Sequence, residues 1–432
     1  MAEKVLIKDI GKFDGDEVLI RGWVRNRRSS GKIQFIIIRD GTGEIQTVAF
    51  KPNIGDELFG RCAELTIESS VKIWGKVKPD KRAPSGYELD LINIEIIQIA
   101  AEYPIQKKAH GTSFLLDNRH LWVRSINQNA LLKIRHTVYY AICEYLNENN
   151  FYRYDSPILT PNACEGTTTL FEVPYFDEGK AYLSQSGQLY AETGIMSLGR
   201  VYDFGPTFRA EKSKTRKHLT EFWMMDAEAA FVEHKENMQI QEKLIRFVIR
   251  KVIEKNENEL KILERNIEKL QKADATFKII TYSEAIKFLQ EKGYDINFGD
   301  DFGAEEEEEI ARESDVPVFV EKWPKQIKAF YMKRDVENPD LVLGSDLIAP
   351  DGFGELIGGS QREDDYELLK ERMEAENMPM KEFQWYLDLR KYGSVPHSGF
   401  GIGLERFIAW ISGKRYIREA IPFPRMINRV SP

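Results

Sequence analysis

The chain has 432 residues, 42% of them hydrophobic and 30% charged, with 61 Lys and Arg against 69 Asp and Glu and a net charge of −8. This length predicts two or three domains, and the ordinary apolar fraction excludes a mainly disordered or collagen-like chain. No apolar run approaches the roughly 18 residues of a membrane span, and the start shows no secretory h-region, so no membrane association and a cytoplasmic location are expected. Cys62, Cys143 and Cys164 lie far apart with no metal-ligand spacing and read as reduced thiols. The acidic balance argues against general nucleic-acid coating, but local charge decides that question.

Residues 17–100 predict strands over 17–28, 33–40, 45–50, 65–78 and 87–97, separated by turn compositions such as SSGK and DGTGE. Five short strands with no helical partner fit a small closed barrel of the OB type; an antiparallel sandwich is the alternative. Between Arg21 and Arg39 stand Arg25, Arg27, Arg28 and Lys32 with no acidic residue, interleaved with Trp23 and Phe35. Basic groups track phosphates and aromatics stack on splayed bases, although a solvated strand face would look the same.

Residues 103–126 lack periodicity and read as a hinge. Over 127–150, Leu131, Ile134, Val138, Ile142 and Tyr145 share a helical face, with Ser125 near the N-cap. The next strand, 151–159, carries Pro157, which suits an edge or interface. Further strand-like pieces at 181–187, 201–211, 220–231, 341–350, 354–362 and 399–407 alternate with helical stretches at 234–272, 281–292 and 363–378. That order predicts an α+β domain on one antiparallel sheet, with an insertion at about 234–330. Five consecutive glutamates, Glu305–Glu309, read as a solvated helix start or loop.

Neither a nucleophile motif, a Walker loop nor a Rossmann fingerprint is present. Three constellations of arginine and carboxylate stand out instead. FRAE (208–211) ends a strand with Arg209 and Glu211, leads into a basic loop reaching His218, and returns through Phe222. A strand-borne arginine can grip a phosphate with its planar fork, and the aromatic ring can stack on a base. The stretch 345–363 offers Asp346 and Glu355 as oxygen donors suited to Mg²⁺ shared with nucleotide phosphates, followed by Arg362. GFGIGLERF (399–407) is a glycine-rich strand entering an apolar helix that carries Arg406; close strand–helix packing would also explain its glycines.

In this order the pieces resemble the three signature motifs of class II aminoacyl-tRNA synthetases. Helix 127–150 with Pro157 looks like the first motif, FRAE through HLTEF the second, and GIGLERF the third. The N-terminal barrel points to the aspartyl/asparaginyl/lysyl subgroup. Within it LSQSGQLYAE (183–192), HLTEFW (218–223), YGSVPHSGFG (392–401) and IREAIPFPR (417–425) are most similar to asparaginyl enzymes. The resemblance implies an OB-fold anticodon-binding domain over 1–102, the hinge 103–126, and a catalytic domain over 127–432. It also implies a homodimer with Pro157 at its interface.

The implied reaction uses ATP and Mg²⁺ to activate L-asparagine and passes it to the terminal ribose of tRNA(Asn). By resemblance, Arg209 holds the α-phosphate and the substrate carboxylate. Arg406 covers the adenine and meets the γ-phosphate, Phe222 stacks opposite, Glu211 sits beside the base or ribose, and His218 reaches the γ-phosphate. Asp346 and Glu355 resemble the metal carboxylates. Glu165 and Gln188 resemble residues at the substrate α-amino end, and Arg362 the contact to its side-chain oxygen. On the barrel Phe35 and Gln46 resemble anticodon contacts within the basic face of Arg25 and Arg27. No protein nucleophile is needed, because the substrate carboxylate attacks phosphorus directly.

Asparagine and aspartate differ by one charge. Ala191 stands where aspartyl enzymes carry a lysine, which leaves a buried carboxylate under-neutralised. Asp226 stands where asparaginyl enzymes usually carry glutamate, and it can still accept an amide N–H, directly or through water. An aspartyl-tRNA synthetase, one charging both tRNAs included, is therefore the nearest alternative. An ammonia-dependent asparagine synthetase has no use for the barrel. A non-catalytic tRNA-binding relative would be expected to lack Arg209, Glu355 or Arg406.

Overall fold

The computed structural model describes residues 2–83, 85–161, 170–213 and 215–432, so Cys164, Glu165 and Lys214 lie outside the described residues. The chain divides into two compact units, Met1–Gly111 and Thr112–Pro432.

In the first unit the strands Glu17–Ser30, Ile33–Arg39, Glu44–Phe50, Tyr87–Gln98 and Ser70–Pro79 follow one another in the sheet, and the last pairs back onto the first. Closure removes the sheet edges and encloses a core that includes Val18, Ile20, Ile36, Ile38, Val71 and Ile73. Alternation sends Val18, Ile20 and Val24 inward and Arg21 and Trp23 outward. Gly22 is required where strands cross closely, since a Cβ there would stand 2.3 Å from the Arg39 carbonyl oxygen. The barrel has a helical partner that the sequence reading lacked, Lys51–Ala63, which buries Cys62. Its apolar residues are sparse and Gly55 kinks it, which hides the helical period.

The second unit begins inside the expected hinge. Thr112–Asp117 and Arg119–Trp122 are short helices, and buried Arg119 donates to the carbonyl oxygens of Glu419, Ile421 and Pro422. These helices are too short to show a period. The helix Ile126–Glu148 follows, capped by Ser125 Oγ accepting from Gln128 N, and buries the expected face from Leu131 to Tyr145 against the helix His234–Ile262.

The unit is organised on an eight-stranded sheet in the order Lys278–Thr281, Val318–Pro324, Leu341–Ala349, Gly354–Gln361, His397–Gly403, Glu221–Ala230, Arg200–Phe208 and Tyr152–Arg153. Its six central strands are antiparallel, but both edge strands pair in parallel, so the sheet is not wholly antiparallel. Pro157 is not within a strand; it lies exposed between the two-residue strands Tyr152–Arg153 and Leu159–Thr160. Its missing N–H fits this break in pairing. The stretch read as a strand over 181–187 is a strand only to Leu183, and Gln188–Leu198 then forms a helix. The glutamate run folds as the helix Ala304–Ala311.

Candidate active site

The central strands form the floor of a cavity of about 1070 Å³. Arg209, Glu211, His218, Phe222, Gln188, Asp226, Asp346, Glu355, Arg362 and Arg406 all line it. A period of two puts Phe222, Met224, Asp226 and Glu228 on one face of the Glu221–Ala230 strand. Opposite Asp226 stands Gly401, and opposite Asp346 stands Gly358. These glycines leave room above the floor. A Cβ on Gly401 would meet Met224 Cε at 2.4 Å and Asp226 Oδ1 at 2.8 Å.

At one end, the Arg209 guanidinium lies over the Phe222 ring, 5.5 Å from its centroid. Such a stacked cation is a good lid partner for a purine and a good fork for a phosphate. Arg406 donates to the Glu355 carbonyl oxygen at 2.9 Å and to its carboxylate at 3.4 Å. The helix bearing Arg406 is fixed from below: Glu405 accepts from Trp223 N at 2.9 Å and from Arg135 at 2.6 Å. His218 is 3.8 Å from Glu211. Burial, opposed by Glu211 and reinforced by Arg406, Arg209 and Lys217, holds the His218 pKa below its usual value.

The carboxylates of Asp346 and Glu355 converge above Gly358, where a Cβ would be 3.2 Å from Glu355 Oε1 and 4.0 Å from Asp346 Oδ1. Burial, opposed by Lys328 and reinforced by Glu355, pushes the Asp346 carboxyl up to about 7. Lys328 bonds Asp346 at 2.5 Å and stacks on Trp323. Two converging oxygen donors suit Mg²⁺, which ordinarily takes one or two carboxylates plus phosphate oxygens. Among the described residues no group of three or more His, Cys, Asp or Glu could hold a metal.

At the other end, Arg362 is held at two points by Glu228, Nε at 3.2 Å and Nη2 at 2.5 Å, and by Ser360 Oγ at 2.7 Å. Burial alone would lower the Arg362 pKa; the Glu228 carboxylate reverses that and raises it. Gly399 makes the pairing possible, since a Cβ there would stand 2.0 Å from Glu228 Oε1. Asp226 accepts from Gly187 N at 2.8 Å and Ser186 Oγ at 3.0 Å. Its burial, with Asp203 adjacent in register, pushes its carboxyl up to about 7.

Gln188 Nε2 donates to Glu192 at 3.2 Å, which turns its carbonyl oxygen away from Glu192. Glu192 is itself fully buried and accepts from Tyr386, Arg390 and His397. Burial opposes its charge, but Arg390 and His397 more than offset this and hold its pKa well below the usual range. Ala191 does not reach the cavity; it is buried against Ile195 and Val201. Glu165 falls outside the described residues.

On the barrel, Arg28 stacks on half-buried Phe35 at 4.4 Å and reaches Gln46 Oε1 at 3.5 Å. Gln46 donates in turn to Glu88 at 3.2 Å, and Arg25 lies 3.6 Å from Glu44. Arg27 is turned to the protein, donating to the Leu65 carbonyl oxygen and to Gln34. The basic stretch is thus partly matched by acids from neighbouring strands, which a one-dimensional reading omits.

Sequence reasoning missed Glu228, Glu192 and Lys328. The first two carried signals: Glu228 shares the strand face of Asp226, and Glu192 stands four residues after Gln188 on a helix. Lys328 comes from an irregular segment 18 residues before Asp346, with no local pattern.

The mainly antiparallel floor, with Arg209 and Arg362 just past strand ends, Arg406 in the first turn of a helix and two converging carboxylates, defines a class II synthetase catalytic domain that follows an OB-fold barrel in the chain. The family model for tRNA synthetases class II (D, K and N) matches residues 111–427, and that for the OB-fold nucleic acid binding domain matches residues 18–97. The chain is 54% identical over 430 residues to an asparagine–tRNA ligase of Pelotomaculum thermopropionicum, covering 100% of both. It is 53% identical to that of Desulforamulus reducens, covering 99% of each. Asparaginyl-tRNA synthetase from Pyrococcus horikoshii, complexed with asparaginyl-adenylate, aligns with a TM-score of 0.96 at 44% identity over 100% of both chains. The chain belongs to the class II tRNA synthetases of the D, K and N family.

Proposed function

We propose that the chain is an asparagine–tRNA ligase, which activates L-asparagine with ATP and transfers it to the 3′-terminal adenosine of tRNA(Asn). The observation that carries the specificity is the state of Arg362. Its charge is already matched by Glu228, and Ala191 adds none, so a substrate β-carboxylate would be under-neutralised while a neutral amide would not. Asp226 supplies the acceptor for the amide NH₂, and the remaining Arg362 N–H groups supply donors for its oxygen.

In the first step a substrate carboxylate oxygen attacks the α-phosphorus in line, and the bond to pyrophosphate breaks. Arg209 neutralises charge on the α-phosphate and aligns the attacking carboxylate; Phe222 and Arg406 sandwich the adenine. Mg²⁺ held by Asp346 and Glu355 would supply charge neutralisation at the phosphates. In the second step a ribose hydroxyl of the tRNA attacks the activated carbonyl carbon and AMP leaves.

The barrel reads the anticodon, with Phe35 stacking and Gln46 reading a base edge, and Arg25 meeting phosphate. Two copies pair through the surface around Pro157, where the next two residues, Ile158 and Leu159, are exposed apolar groups. The reaction belongs in the cytoplasm, and no helix among the described residues is long and apolar enough to cross a membrane. Charging of unfractionated tRNA tests the reading: labelled asparagine should enter acid-precipitable RNA, and incorporation of aspartate instead would overturn it.

A further inference from the structure

Of the three glutamates in the first turn of Ala304–Ala311, Glu305 is exposed, whereas Glu307 turns inward with only 20% of its side chain accessible. Its Oε2 accepts from the Glu355 backbone N–H at 3.1 Å and lies 3.7 Å from Lys217 Nζ. The contact is built into the backbone. Gly354 adopts φ +76°, and a Cβ there would fall 2.6 Å from Lys217 Nζ and on top of the Glu307 carboxylate. The next residue, Glu355, meets Arg406 through both its carbonyl and its carboxylate. One carboxylate from the glutamate run therefore joins the basic loop after Arg209 to the turn that presents Glu355. Glu309 does different work, pairing with Arg312 and Tyr294 away from the cavity.

We infer that Glu307 is a positioning residue for the pyrophosphate end of the site, aiming Glu355 through its peptide and holding Lys217 where the outer phosphates arrive. This rests on the reading proposed above, because it assumes that ATP enters with its phosphates toward Glu355 and Lys217. A charge-assisted bond to a backbone N–H fixes direction better than a side-chain pair does, and its loss would loosen the phosphate end without touching Gln188 or Arg362.

The test uses the full chain and three variants: Glu307→Ala, Glu307→Gln and the exposed control Glu305→Gln. KM values for ATP, pyrophosphate and the amino acid come from pyrophosphate exchange; binding of α,β-methylene-ATP over a range of Mg²⁺ concentrations comes from calorimetry. Glu307→Ala is expected to raise KM for ATP and pyrophosphate about tenfold and to weaken the analogue similarly, with the amino-acid KM within about twofold. Glu307→Gln keeps an acceptor for the Glu355 N–H and should recover part of that loss, and Glu305→Gln should match the parent.

Unchanged ATP and pyrophosphate KM values in Glu307→Ala, or an equal rise in all three, would overturn the inference. Should Glu307→Ala not fold, unchanged phosphate-end KM values in Glu307→Gln would overturn it as well. Exchange in the parent that does not respond to asparagine refutes the function instead, and the Glu307 comparison then proceeds with whichever amino acid supports exchange.

Discussion

Single side chains in this site are tuned by what surrounds them, and Asp226 is the clearest case. With its carboxyl pushed up to about 7, it is anionic above that value and accepts an amide N–H; below it, the protonated group can donate to a carboxylate. Inhibition of asparagine-dependent exchange by aspartate should therefore strengthen as the pH falls from 8 to 6; a pH-independent inhibition constant would contradict this role. The same shift has a stability consequence of defined sign. The native state binds more protons here than the unfolded chain between the ordinary carboxylate value of 3.8 and about 7, so the contribution of Asp226 to stability falls as pH rises through that window. Arg209→Ala should cut exchange by at least about 100-fold, as loss of a preorganised donor to a developing charge does, measured at saturating ATP and asparagine. Glu192→Ala should destabilise the unit by about 3–5 kcal/mol in urea unfolding, because it strands the buried charge of Arg390.

Elements place these side chains through close backbone approach. Glu228 can grip Arg362 only because Gly399 has no side chain, so Gly399→Ala should abolish amino-acid activation while the far-ultraviolet circular dichroism stays native. Wild-type exchange in that variant would show that the pairing is dispensable. At this scale the sequence was readable where periodicity is long or strict. The Ile126–Glu148 helix appears with its expected apolar face, and the barrel strands alternate as expected. The signal failed for Lys51–Ala63, where a kink at Gly55 and few apolar residues blur the period, and for Gln188–Leu198, where buried positions, polar Gln188 and Glu192 among them, leave no clean apolar face. It failed also for the parallel edge strands, since the direction of a neighbour is a property of topology and leaves no mark on local alternation. Arg209, Asp346, Glu355, Arg362 and Arg406 were legible because they stand in short motifs. Glu228, Glu192 and Lys328 complete the charge pairs across 134, 198 and 18 residues, and only folding makes those pairs visible.

For the molecule as a whole, the net charge of −8 says little about partners, because charge is arranged locally. The barrel carries its arginines beside Phe35 and Trp23, and the catalytic unit sets Arg209, Lys217 and Arg406 around one cavity. Division of labour between the units makes a separable prediction: Phe35→Ala should lower tRNA charging by about tenfold, the worth of one stacked base, while tRNA-independent exchange is retained. Loss of both activities together would contradict an anticodon role for the barrel. The claim on which the rest depends is that the pocket around Arg362, Glu228 and Asp226 selects a neutral amide over a carboxylate. Pyrophosphate exchange measured with asparagine and with aspartate at pH 8 tests it most directly. The account predicts exchange with asparagine and at least about 100-fold lower kcat/KM with aspartate; equal exchange with the two would contradict it.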